Sequence, residues 1–289
     1  MKHILAPVVA NESVADGYVL VIVRSPEIGS TALPGQFLHI SCFSDSEFGL
    51  RRPFSIHDAA DDRVEILVRL VGRGSLALAS VPVGESLDII GPLGRGFSLV
   101  DKGQVLLVGG GCGVAPLAHL ARTLLDRGVE VTVAQGARRA NEVIPFPGLE
   151  ALGLKHRIST DDGSAGYAGN VVQLAKEILK DAMPDRAYAC GPDAMLQALW
   201  ESVSPLGIPL EVSVEAPMAC GVGACLGCVR KIRRNGTEAY EKVCTCGPVF
   251  PAEEALGEPA EGPLSCSPIP SPSGRMSGQA PSPSGAELG

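Results

Sequence analysis

The sequence predicts an α+β multidomain fold: an antiparallel β-barrel domain, a parallel α/β nucleotide-binding domain and a small cysteine-bearing C-terminal domain. Three observations predict it. Over residues 1–100, short β-branched runs alternate with Gly and Pro turn signals. Over residues 101–210, continuous apolar runs alternate with helical patterns. Over residues 211–251, five of the nine cysteines crowd into one Gly-rich segment.

In the first region, residues 18–23, 37–42, 64–70 and 86–90 read as strands, punctuated by Pro34-Gly35 and Gly91-Pro92. Several short strands at this spacing predict a small barrel. Between them lies Arg51-Arg52-Pro53-Phe54-Ser55-Ile56. An Arg pairs with a diphosphate, a Phe covers an aromatic ring face and a Ser hydroxyl bonds a ring nitrogen. A basic pair on a barrel rim is the plainer reading of the same residues. Gly72-Arg73-Gly74-Ser75 is a second candidate phosphate-facing loop on the same terms.

From Gln104 the pattern changes. Val105-Leu106-Leu107-Val108 is the continuous apolar run of a strand buried on both faces. Gly109-Gly110-Gly111-Cys112-Gly113 follows, then a helical pattern through Leu117, Leu120, Ala121, Leu124 and Leu125. Residues 129–134 give a second buried strand, 171–179 a helix, Ala187-Tyr188-Ala189-Cys190 a strand and 194–202 a further helix. This alternation predicts a parallel sheet covered on both faces. Glycines let backbone approach a pyrophosphate, and the helix start offers unpaired N–H groups. The strand–turn–helix context raises Gly109, Gly110, Gly111 and Gly113 above an ordinary tight connection, and Pro116 suits a first helical turn. Cys190-Gly191-Pro192 falls at a strand end, where α/β sheets bind ligands. A small buried hydrophobe is the competing reading for Cys190, as an ordinary turn is for Thr160-Asp161-Asp162-Gly163.

Cys220-x4-Cys225-x2-Cys228 is the opening of the plant-type ferredoxin spacing, which holds [2Fe–2S] through four thiolates. Gly221, Gly223 and Gly227 let the loop wrap and bring N–H groups to the sulfurs. The fourth ligand is expected at Cys244, returned to the loop by a strand at 229–232 and an Asn235-Gly236 hairpin. Cys246 competes for that position. Structural zinc is the alternative for the whole set, although zinc ribbons usually use two paired knuckles.

Composition excludes other classes. The net charge is −8 and no dense Lys/Arg block occurs, so a polyanion partner such as nucleic acid is not expected. Aromatic residues are 4% of the chain, too few for base-stacking platforms. The apolar run at 4–10 is short and broken by Pro7, and nothing approaches the ~20 apolar residues of a membrane helix. A soluble, cytoplasmic protein without a membrane partner is expected. Residues 252–289 are mostly Pro, Ser, Gly, Glu and Ala and are expected to form a disordered tail, with no ligand role for Cys266.

Taken together, Arg52-Pro53-Phe54-Ser55, Gly72-Arg73-Gly74-Ser75, the turn at 109–117 and Cys190-Gly191-Pro192 resemble the ferredoxin-reductase flavoprotein superfamily. The segment 215–228, closing with Val243-Cys244-Thr245-Cys246-Gly247-Pro248-Val249-Phe250, is similar to one subfamily, the electron-transfer subunits of NAD-dependent dihydroorotate dehydrogenase. The resemblance implies FAD in the barrel domain, with Arg52 on its phosphates, Phe54 and Ser55 near the isoalloxazine, Gly74 and Ser75 along the pyrophosphate, and Pro53 and Gly72 also among the cofactor-binding residues. It implies NAD on the sheet domain, with the 109–113 glycines at its phosphates and Cys190-Gly191 near the nicotinamide. It also implies a [2Fe–2S] cluster on Cys220, Cys225, Cys228 and Cys244, and an FMN-containing catalytic partner in a heterotetramer of two plus two, serving pyrimidine (UMP) biosynthesis. No constellation for oxidising a small acid is evident in this chain, so no catalytic residue is assigned. Two departures stand out: Cys246 occupies a position usually acidic in the subfamily, and Cys112 one usually aliphatic. A related reading is the flavoprotein subunit of an NAD(P)H-dependent ferredoxin or sulfide oxidoreductase, in which aspartate commonly stands in place of Cys220.

Overall fold

The computed structural model describes residues 1–42 and 49–256. The first sheet contains β1 (Lys2–Ala15), β2 (Tyr18–Arg24), β3 (Phe37–Ile40), β4 (Arg52–Ser55), β5 (Asp58–Ala60), β6 (Arg63–Arg69) and β7 (Ser86–Leu93). Its order is β4-β3-β7-β1-β2-β6-β5, with every pair antiparallel. Two short helices, α1 (Pro26–Gly29) and α2 (Arg73–Ala79), interrupt the strands. The long β1 serves both halves of the sheet, pairing with β7 over residues 2–7 and with β2 over 8–15. Register shifts along the second stretch bend it and curl the sheet around a core of Val21, Val23, Leu38, Ile40, Ile66, Val68 and Ile89. Among the described residues β4 and β5 do not pair, so the barrel is an open one with β4 at its edge.

The second sheet follows the predicted alternation. Its elements are β8 (Gln104–Gly110), α3 (Ala115–Asp126), β9 (Glu130–Ala137), β10 (Lys155–Thr160), β11 (Tyr167–Ala168), α4 (Val171–Asp181), β12 (Arg186–Cys190), α5 (Asp193–Val203) and β13 (Leu210–Ser213). A hairpin of β14 (Val229–Arg234) and β15 (Thr237–Lys242) comes next, then α6 (Val243–Cys246), β16 (Val249–Pro251) and α7 (Ala252–Ala255). The strand order is β11-β10-β9-β8-β12-β13-β16, parallel throughout except for β16. Helix α4 begins with a capping box: Asn170 Oδ1 accepts from the Gln173 N–H at 3.0 Å, and Gln173 Oε1 accepts from the Asn170 N–H at 2.9 Å. The hairpin turn places Asn235 at φ 51° and Gly236 at φ 77°, the paired left-handed geometry that an Asn-Gly dipeptide favours.

The cysteine region is built into this second layer. Both its flanks, β13 and β16, are strands of the parallel sheet, and Cys228, Ile232, Val243, Cys244 and Phe250 share one core with α4 and α5. Residues 252–255, placed in the expected tail by their composition, form a helical turn. Ala252 is fully buried, and Glu254 pairs with Arg234 at 2.7 Å. A small apolar residue and an acidic partner for the hairpin suffice to hold that turn despite its composition. Residues 257–289, Cys266 included, lie outside the described residues. Among the described residues no helix is long and apolar enough to cross a membrane.

The seam between the two sheets is polar and buried. Arg122 of α3 reaches Asp58 through Nε at 3.0 Å and the Ala59 carbonyl at 2.8 Å, while His57 Nδ1 lies 3.1 Å from the Ala115 carbonyl. His119 sits in the same seam, 5% exposed, with Nδ1 unpartnered. Burial holds its pKa down at about 4; Asp58 opposes this, and Arg122 and His57 reinforce it. A histidine buried neutral stabilises the fold above its unfolded pKa of about 6.5, and that contribution is lost as pH falls toward 4. We therefore expect stability to decline between these limits by on the order of 3 kcal/mol from this group. His119→Leu should flatten that acid limb without abolishing it, because His57 is buried in the same sense. Melting temperatures of both proteins at pH 7 and pH 5 check this.

Candidate cofactor and iron–sulfur site

Strand β4 carries Arg52, Pro53, Phe54 and Ser55, all half-buried, at the edge of the first sheet. It pairs with β3 in the register Ile40 to Arg52, His39 to Pro53, Leu38 to Phe54 and Phe37 to Ser55. An edge strand leaves backbone groups free for a ligand and tolerates Pro53. The second loop packs against it: a Cβ on Gly74 would stand 3.4 Å from Arg52 Cγ, whereas one on Gly72 would meet nothing within 4 Å. The structure thus brings both candidate flavin loops together, with open backbone at Gly72. Ser75 is engaged within its own turn. Its hydroxyl accepts from the N–H groups of Val71 (3.0 Å) and Gly72 (3.1 Å) and donates to the Gly72 carbonyl (3.0 Å), so it closes its own turn.

The Gly-rich turn runs from the end of β8 into α3 through one 3-10 turn, Gly111–Val114, with Gly111 at φ 55°. Cys190 is paired with Gly109 in the parallel register of β12 and β8. Chain order reverses between these strands, since β9, β10 and β11 lie to one side and β13 to the other. The crevice at their carboxyl ends is therefore the switch point where dinucleotides bind such sheets. Close packing holds its walls: a Cβ on Gly113 would fall 2.1 Å from the Cys190 carbonyl oxygen, and one on Gly110 2.5 Å from Met195 Sδ. Cys190 is buried, and its thiol is pushed up to about 12 by burial and by the Glu215 charge, so it lines the crevice as a neutral group.

The cysteine loop bends through left-handed backbone at Gly221 (φ 68°), Gly223 (φ 82°) and Leu226 (φ 59°). This curvature turns main-chain donors onto sulfur. The Cys225 N–H lies 3.4 Å from Cys220 Sγ, and the Gly227 N–H 3.4 Å from Cys225 Sγ. Donors from Cys225 and Val222 draw the Cys220 thiol down to about 6, into the range where it is a thiolate. Burial and the neighbouring Cys228 sulfur push Cys244 up to about 12, and the Gly223 N–H opposes them. The four sulfurs interact, Cys225 with Cys220, and both Cys228 and Cys220 with Cys244. Four thiolates suit a [2Fe–2S] cluster, and the x4–x2 triplet departs from the two paired knuckles of a zinc ribbon. Cys246 Sγ lies 3.8 Å from Thr245 Oγ1.

One residue of the site escaped sequence reasoning. His39 is 1% exposed in β3, and its ring abuts Gly221 of the cysteine loop. The available signal was a lone polar residue in the apolar run Phe37-Leu38-His39-Ile40.

An open antiparallel barrel, a parallel sheet with a glycine-walled switch point and a glycine-bent four-cysteine segment define a ferredoxin-reductase-like oxidoreductase equipped for an iron–sulfur cluster. Comparison with known proteins agrees. The family "Iron-sulfur cluster binding domain of dihydroorotate dehydrogenase B" matches residues 215–256. The chain is 39% identical over 229 residues to the dihydroorotate dehydrogenase B (NAD(+)) electron transfer subunit of Caldanaerobacter subterraneus subsp. tengcongensis, covering 79% of this chain and 89% of that one. It is 36% identical over 256 residues to the subunit of the same name from Desulforamulus reducens, covering 88% and 98%. Among solved structures, an NADH-dependent reduced ferredoxin-NADP oxidoreductase superposes with TM-score 0.76 at 29% identity, over 87% of this chain and 89% of that chain. A ferredoxin NADP+ reductase from Neisseria gonorrhoeae shares the fold at TM-score 0.61 and 18% identity, over 72% and 92%. The chain belongs to the family of electron transfer subunits of dihydroorotate dehydrogenase B (NAD(+)), and as such is an oxidoreductase component that works with a catalytic subunit.

Proposed function

We propose that this chain passes electrons from the FMN of a dihydroorotate dehydrogenase catalytic subunit, through a [2Fe–2S] cluster and FAD, to NAD+, as a step of pyrimidine (UMP) synthesis in the cytoplasm. The observation that carries the reading is the gathering of four cysteines, three on one glycine-bent loop and the fourth on α6, in the same fold as the dinucleotide crevice. When bound, FAD would join the two-electron nicotinamide to the one-electron cluster, since a flavin exchanges both hydride and single electrons.

The chain's own residues bind and orient these groups. Arg52 supplies positive charge for the flavin diphosphate, and Gly72 and Gly74 let backbone approach it. Pro53 stiffens the edge strand, Phe54 covers a ring face and the Ser55 hydroxyl is a hydrogen-bonding group beside it. Ser75 holds the shape of the 72–75 turn. Gly109, Gly110, Gly111 and Gly113 admit the NAD phosphates, while Cys190 and Gly191 form the floor of the crevice for the nicotinamide. Cys220, Cys225, Cys228 and Cys244 hold the iron pair. Around exposed Cys225, Val222 and Leu226 are 37% and 60% exposed, an apolar rim suited to the FMN subunit in an assembly of two plus two.

The likeness to an NADH-dependent ferredoxin-NADP oxidoreductase supports a second reading, a subunit serving a ferredoxin or sulfide reaction. Cys220, where aspartate commonly stands in those relatives, favours the first. Anaerobically purified protein should show flavin and iron–sulfur absorption with two irons and one FAD per chain. Mixed with an FMN dihydroorotate dehydrogenase, it should confer NAD+ reduction by dihydroorotate and elute as a heterotetramer. A colourless, zinc-loaded preparation, or iron-loaded protein inert with that partner, overturns the reading.

A further inference from the structure

His39 lies where the flavin strand and the cysteine loop meet. Its backbone belongs to β3, opposite Pro53 of β4. Its ring meets Gly221 so closely that a Cβ there would fall 2.6 Å from Nδ1 and 3.0 Å from Cγ. The main chains of Arg51, just before the flavin box, and of Cys220, the first cluster thiolate, both approach the ring. Yet both ring nitrogens are fully buried and lack a completed hydrogen bond. Buried polar atoms without partners are rare, and each costs about 1–3 kcal/mol. In either protonation state an imidazole carries at least one N–H, and the groups that approach this buried donor are the main chains of Arg51 and of Cys220 at the first turn of the cluster loop. Arg51 cannot swing away to relieve it, because its guanidinium is fixed to Asp88, 2.8 Å from the carbonyl and 2.6 Å from the carboxylate.

We propose that His39 is a positioning residue that seats the cluster loop on the flavin strand, its ring N–H donating to the Cys220 end of the loop and thereby raising the reduction potential of the iron pair. The proposal rests on the functional reading above. Hydrogen bonds to the sulfurs and their loop help set iron–sulfur potentials, and a donor stabilises the more negative, reduced state. The same ring fixes the loop against the strand bearing Arg52 and Phe54, so one side chain governs both the spacing of the two electron carriers and the driving force between them.

The test uses full-length protein purified anaerobically as wild type, His39→Leu and His39→Gln, with iron and FAD content, EPR spectra and an EPR-monitored redox titration as readouts. Leu fills the site without a donor; Gln restores an N–H. The Leu variant should keep its FAD and show reduction of the cluster disfavoured about tenfold, a fall of ~59 mV for one electron, with an altered EPR signal. The Gln variant should recover most of that shift. Packing alone would not separate the two variants in this way. If the Leu variant loses iron, the Gln variant decides: iron retained at a near wild-type potential upholds the proposal. Iron lost from both variants, or an equal shift in both, overturns it. So does a Leu variant that holds iron at the wild-type potential. Wild-type protein without iron would instead sink the functional reading itself.

Discussion

Cys225→Ser should abolish electron flow from the catalytic subunit to NAD+ while leaving the nicotinamide and flavin chemistry intact. Cys225 is the exposed thiol of the cluster loop, and its Sγ accepts the Gly227 N–H at 3.4 Å. Losing a thiolate leaves one iron with a single protein ligand. Even removal of an outer partner of a ligand costs about 10–100-fold in metal affinity, so loss of a ligand itself should empty the site. Iron content should fall from two per chain to near zero, and dihydroorotate-dependent NAD+ reduction by at least about 100-fold. NADH oxidation by ferricyanide needs only the crevice at 109–113 and the flavin strand, so it should change by less than about twofold. Cys246→Ser is the control. Its Sγ lies 3.8 Å from Thr245 Oγ1 and it is not among the four assigned ligands, so iron and both activities should persist. Iron loss from the Cys246 variant together with retention in a Cys244 variant would reverse the assignment of the fourth ligand.

What could be read from sequence follows from how each element is buried. Val105 to Val108 are covered on both faces, so β8 appears as an unbroken apolar run, and α3, α4 and α5 appear by their periodicity. The Asn235-Gly236 turn was legible because the dipeptide itself encodes the left-handed pair. Strand β10 was not legible. Lys155-His156-Arg157-Ile158-Ser159-Thr160 is polar, and it becomes a strand because its backbone completes the ladder beside β9. The two flanks of the cysteine region gave no sign that they join the parallel sheet, since β13 and β16 are only four and three residues long. The cysteine spacing displays its chemistry in one short window. His39 could not be read as part of that site, because its contact, Gly221, lies far along the chain and only the fold brings them together.

Gly113→Ala should unseat the dinucleotide crevice. The new Cβ would lie 2.1 Å from the Cys190 carbonyl oxygen, 2.5 Å from its carbon and 2.8 Å from the Gly191 nitrogen. These are main-chain atoms of a strand held on both sides, by β8 and by β13, so no rotamer change relieves the clash and the turn must move as a unit. Overpacking of this kind costs about 1–3 kcal/mol or more, which in a chain of this size lowers the melting temperature by roughly 2–12 °C. The phosphate-facing N–H groups move with the turn, so KM for NAD+ should rise at least about tenfold, while FAD, bound on the other sheet, stays in place. Gly191→Ala separates the two effects. Its Cβ would meet Met195 Cε at 2.7 Å and Sδ at 2.8 Å, the far end of a flexible side chain. That variant should melt within a few degrees of wild type yet still raise KM, because the methyl group stands in the crevice floor. Calorimetry and NAD+ titration of both variants decide the matter: equal stability losses, or an unchanged KM for the Gly113 variant, would show that the nucleotide does not depend on this pair of walls.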